Sequence, residues 1–66
     1  MEKFHIRLTH KNGNVIRLPF LRKDLDAARS FYEEHLKAAK EAPLQYWVKV
    51  ELKQGRQVWN MERLDI

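Results

Sequence analysis

The sequence predicts an α+β domain of element order ββαββ, with one helix packed across one face of a four-stranded sheet. Two observations carry that expectation. Residues 24–41 hold apolar side chains at helical spacing, and the segments on either side each read as two runs of alternating polarity joined by a turn containing glycine. An apolar helical stripe must be buried against something, and the flanking strand pairs supply the surface.

The first strand, residues 3–10, places Phe4, Ile6 and Leu8 on one face and Lys3, His5, Arg7 and Thr9 on the other. The second, residues 15–20, alternates through Ile16, Leu18 and Phe20. Asn12 and Gly13 between them suggest a two-residue turn. That turn would set Leu8 against Arg17 and mix the faces. A three-residue loop of Lys11, Asn12 and Gly13, with Gly13 left-handed, pairs Leu8 with Ile16, Ile6 with Leu18 and Phe4 with Phe20. The bulged turn is therefore expected. Pro19 has no N–H to donate, which assigns the second strand to a sheet edge.

Asp24 is the expected helix N-cap, and Asp26 adds negative charge in the first turn. Leu25, Ala28, Phe31, Tyr32, His35, Leu36, Ala39 and Ala42 fall within an arc of roughly 140°. Glu33, Glu34, Lys37, Lys40 and Glu41 occupy the wet side, with Glu33 and Lys37 as an i,i+4 pair. Pro43 should stop the helix near Glu41 or Ala42.

The third strand, residues 44–53, sets Leu44, Tyr46, Val48, Val50 and Leu52 against Gln45, Trp47, Lys49, Glu51 and Lys53. Gln54 and Gly55 turn the chain into residues 56–64. A two-residue loop there puts Trp59 and Met61 in the core; a three-residue loop puts Val58 and Asn60 there instead. The first hides more apolar area and is the expected register. With the second strand at an edge, the sheet order resembles either a β-grasp arrangement, 2-1-4-3, or an all-antiparallel one. Element order alone carries no function.

Sixty-six residues suit one domain, and folding at that size hides only about 60% of the chain's surface. The absence of cysteine excludes disulfides and thiolate chemistry, and a cytoplasmic setting is expected. No apolar run exceeds about four residues, so neither a signal peptide nor a membrane span is expected. A net charge of +4 favours an anionic partner, though solubility alone accounts for many such balances.

Catalysis finds no constellation. Ser30 has no histidine at helical spacing beside it, both glycines serve turns, and the acidic residues cap or solvate the helix. His5, His10 and His35 share no metal-ligand spacing, and His35 reads as a packed boundary residue. A non-enzymatic chain without cofactor, metal or small-molecule substrate is expected. Arg22 and Lys23 stand where they could meet an anion at the helix N-terminus, but Asp24 and Asp26 compete for the same donors.

The sheet face away from the helix is the candidate site. Lys3, His5, Arg7, Arg17, Trp47 and Lys49 fall on it, relieved by Thr9 and Glu51. Cations with an exposed indole are the surface type that binds single-stranded nucleic acid, the indole stacking on a base. The alternative is a protein-interaction module: a homodimer, adaptor or inhibitor. It would use Trp47, Val58, Trp59 and Met61 as an apolar patch, or pair through the edge of the third strand.

Overall fold

A computed structural model describes residues 1–42 and 46–65. The elements are β1 (Glu2–His10), β2 (Val15–Arg22), α1 (Leu25–Glu41), β3 (Trp47–Gln54) and β4 (Gln57–Arg63). The four strands form one antiparallel sheet in the order β2-β1-β3-β4. Of the two arrangements the sequence allows, the all-antiparallel one is adopted, and the β-grasp-like order 2-1-4-3 is not. Both β2 and β3 run antiparallel to β1, so α1 links two strands that are parallel to each other with β1 between them.

Face matching explains why β3 rather than β4 lies beside β1. The pairs Ile6–Leu52 and Leu8–Val50 join apolar to apolar, and Arg7–Glu51 joins opposite charges. β4 offers Asn60 and Glu62 at the positions opposite Leu52 and Val50. The strand with unbroken apolar alternation takes the centre, and the one that carries polar groups on both faces takes the edge.

The first hairpin has the bulged register. Leu8 pairs with Ile16, Ile6 with Leu18 and Phe4 with Phe20. The Gly13 N–H donates to the His10 carbonyl at 2.9 Å, and Gly13 sits at φ +94°, a conformation side chains other than glycine rarely adopt. The Asn12 side chain accepts from the Asn14 N–H at 2.9 Å, closing the loop. His10 N–H donates to Asn14 O, so the pairs alternate from there and Pro19–His5 is a non-hydrogen-bonded pair. The N–H that Pro19 lacks would have pointed away from the sheet, and the ladder loses nothing.

Asp24, in extended conformation, accepts the Ala27 N–H at 2.9 Å and caps the helix. The buried helical residues are Ala28, Tyr32, Leu36 and Ala39, and they close over Phe4, Ile6 and Leu8 of β1 and Val50 and Leu52 of β3. Leu18, Phe20, Leu25 and Phe31 complete this core from its margin. His35 is half-buried, its ring tilted against that of Phe31 with Nδ1 within 3.1 Å of the Phe31 carbonyl. The helix ends at the half-buried Ala42; Pro43, invoked as its stop, and Leu44 and Gln45, assigned to the third strand, lie outside the described residues.

The second hairpin departs from expectation. Its turn closes one residue later, over Gly55 and Arg56, with Gln54 opposite Gln57 and Gly55 at φ +59°. A bulge then shifts the register so that Leu52 faces Asn60 and Val50 faces Glu62. Trp59 and Met61, expected in the core, are 38% and 53% exposed. The reason is the width of the helix. One helix covers the two central strands, and at β4 the sheet meets the polar flank of α1. There Arg29 donates to Asn60 at 3.0 Å and Lys40 pairs with Glu62. Buried area would favour Trp59 inside only if apolar surface lay above it, and among the described residues none does.

Candidate functional site

Strand alternation assembles the outer face, opposite α1, in rows that run across the sheet. Pro19, His5, Lys53 and Val58 make one row; Arg17, Arg7, Glu51 and Met61 the next; Val15, Thr9, Lys49 and Arg63 the third. Lys3 and Leu21 extend the face beyond the first row. Five of the expected site residues, Lys3, His5, Arg7, Arg17 and Lys49, therefore share this surface. Lys53 and Arg63 join them. Lys53 followed from the alternation of the third strand, whereas Arg63 required the true register of the second hairpin.

Trp47 does not join them. The β1–β3 register shifts between Thr9 and His10, so that His10 faces Trp47. His10 alternates with Leu8 and Ile6, and its partner Trp47 packs against the core cluster on the helix side. The two rings meet edge to face at 5.5 Å. Val48 instead lines a small outer-face depression with Thr9, Lys49 and Arg63. One extra residue in the ladder thus reverses the expected facing of the indole.

Charge on the outer face is uneven in a decisive way. Lys3, Arg7, Arg17, Lys49, Lys53 and Arg63 stand against Glu51 and Asp65, a balance of four positive charges. The rest of the chain carries seven basic and seven acidic residues. The whole net charge of the protein lies on one side of the sheet. Glu51, 6% exposed, sits in the middle of it and accepts from Arg7 Nη1 at 2.8 Å, with Lys49 Nζ at 3.7 Å. Arg63 is held by Asp65 at 3.1 Å, and that hydrogen bond keeps the Asp65 carboxyl below its ordinary pKa. Lys3, Arg17 and Lys53 form no ion pair among the described residues.

A groove of about 470 Å³ opens on this face, lined by Lys3, Phe4, His5, Arg17, Pro19 and Gly55. His5 has a pKa below the ordinary histidine value, because partial burial and the cations Lys53, Arg17 and Arg7 outweigh Glu51. The edge strands add apolar groups to the margins: Leu21 is 53% exposed, Val58 42% and Met61 53%. The open surface is therefore cationic along its centre and apolar at its sides.

Arg22, weighed as an anion contact near the helix N-terminus, is already engaged. Its guanidinium lies 4.4 Å from the Phe31 ring centroid and donates to the Leu21 carbonyl at 2.7 Å. Among the described residues there is no group of three or more histidine or acidic side chains placed to hold a metal ion, and no helix long and apolar enough to cross a membrane.

Fold and site together define a small α+β domain with an open, cationic sheet face. Comparison with protein-family models, with curated proteins and with solved structures gives no match.

Proposed function

We propose that this chain is a small non-enzymatic module that binds single-stranded nucleic acid along its outer sheet face. The observation that carries the reading is the placement of the entire net charge on that one open surface. Phosphates released from their counterions would be neutralised by Lys3, Arg17 and Lys53, the three cations of this face without a carboxylate partner among the described residues. Arg7 and Lys49 are partly committed to Glu51 and contribute less. With Trp47 turned to the core, base stacking on its indole is not part of the mechanism. Pro19, Val58 and Met61 supply apolar contact to sugars and base faces at the margins.

The test is a titration with a labelled single-stranded oligonucleotide over a series of salt concentrations. Affinity falls steeply with salt, and replacing Lys3, Arg17 and Lys53 together by Ala flattens the slope by about 0.7 for each phosphate no longer neutralised. Absence of binding at low salt overturns the reading.

One observation favours a second reading, a protein partner. Val58, Trp59 and Met61, all on the edge strand β4, leave a run of large apolar side chains exposed beside unpaired backbone groups. The third strand, considered as a pairing edge from sequence, is central and closed to this role. If β4 mediates self-association, light scattering on the purified chain gives a dimer mass and Met61→Lys returns it to the monomer. A monomer at all concentrations removes the homodimer.

A further inference from the structure

We propose that the groove between β1, β2 and the Gly55 turn is a phosphate-seating subsite for one nucleotide of a bound single strand, with Lys3 and Arg17 as anchors and His5 as the donor that takes up a proton on binding. This deepens the nucleic-acid reading and rests on it.

The geometry selects that occupant. At about 470 Å³ the groove is within the size range of small-ligand sites and suits a single nucleotide unit better than a folded protein surface. Lys3 and Arg17 give it positive walls beside the His5 ring, and among the described residues no carboxylate lines it. Pro19 presents an apolar ring to a sugar or a base, and Gly55 lines the groove with backbone alone. The nearest acid on this face, Glu51, is directed at Arg7 and Lys49. A phosphate entering the groove meets three donors and no competitor.

The proton follows from the same arrangement. In the free protein partial burial first, and then Lys53 of β3, Arg17 of β2 and Arg7 of β1, hold His5 toward its neutral form, opposed by Glu51 of β3. A phosphate reverses the local field and favours the imidazolium, so its binding is coupled to proton uptake. Affinity must then rise as pH falls, by at most about tenfold per pH unit for one coupled proton.

The experiment uses the full chain and a single-stranded oligonucleotide at fixed ionic strength, from about pH 5 to about pH 8, across the histidine range. Wild-type affinity weakens several-fold as pH rises, His5→Gln flattens that profile, and His10→Gln leaves it in place. Arg17→Gln lowers the salt slope by about 0.7. Independently of any variant's folding, the His5 ring signals of the wild-type protein titrate at higher pH with the oligonucleotide than without it. Binding that persists with an unshifted His5 titration and an unchanged His5→Gln profile overturns the subsite and spares the face. Failure of the oligonucleotide to bind at low salt overturns both.

Discussion

Arg7 and Glu51 meet across the two central strands, the guanidinium Nη1 donating to Oε1 at 2.8 Å on the face that carries the protein's net charge. Glu51 is the acid that restrains this face, and its removal should sharpen its electrostatics. Glu51→Gln keeps the side-chain shape, releases Arg7 and Lys49, and adds one positive charge to the balance. Oligonucleotide affinity should increase and its salt dependence steepen, as read from binding isotherms at several ionic strengths. Arg7→Ala has the opposite character. It leaves a nearly buried carboxylate with only Lys49 nearby, and urea unfolding should show a loss of about 1–3 kcal/mol.

Trp47 should behave as a packing residue. Trp47→Ala removes a ring that packs on the core cluster and His10, and should cost about 2–3 kcal/mol in chemical denaturation. The salt slope of oligonucleotide binding, measured under conditions where the variant stays folded, should remain that of the parent.

Tyr32 links alkaline pH to stability. Burial, aided by Glu62, Glu33 and Glu51, pushes its phenol from 10.0 up to about 12. The folded state therefore holds the proton that the unfolded chain releases. Its stabilising contribution is complete below pH 10 and is lost as pH rises toward 12. Its hydroxyl lies 3.4 Å from the Val50 carbonyl, a long contact, so Tyr32→Phe should change stability at neutral pH by no more than about 1 kcal/mol. Thermal melts of the two proteins should diverge only above pH 10, with the Phe variant the more resistant.

Leu36, 5% exposed under the helix, is the most direct test of the core. Leu36→Asp places a carboxylate among Phe4, Ile6 and Val50, and the cooperative melt should disappear. A melt near the parent's would mean that α1 does not cover the sheet as described.

The fold was legible where local patterns were redundant. The helical stripe with its Asp24 cap, and the first hairpin with its Gly13 turn and matched faces, each had two independent signals, and face matching chose the Gly13 bulge over the commoner Asn-Gly turn. The second hairpin had only one. The segment from Lys53 to Gln57 offers several turn positions, and the preference for burying Trp59 assumed an apolar roof that one helix cannot extend to a fourth strand. The candidate face was legible for the same reason as the first hairpin: strict alternation places Lys3, His5, Arg7, Arg17 and Lys49 together. Trp47 was not, because a bulge adds a residue without disturbing the alternation visible in sequence. The net charge of the face was legible as well, because Lys3, Arg7, Arg17, Lys49 and Lys53 against Glu51 already account for it, and Arg63 and Asp65 cancel.

Pro19 has a consequence for growth by strand addition. Of the two outer strands, β2 has a gap in its outward row of donors, while β4 contains no proline. Strand addition at β2 would thus meet a missing donor, whereas at β4 it would meet only the bulge beside Trp59. Two molecules joined β4 to β4 present their β2 strands at both ends of the eight-stranded product, and each end lacks a donor where the next strand would need it. Such an assembly would close on a two-fold axis instead of propagating. A single imino acid, placed where its own ladder does not need it, removes a donor from the edge that a further strand would have to use.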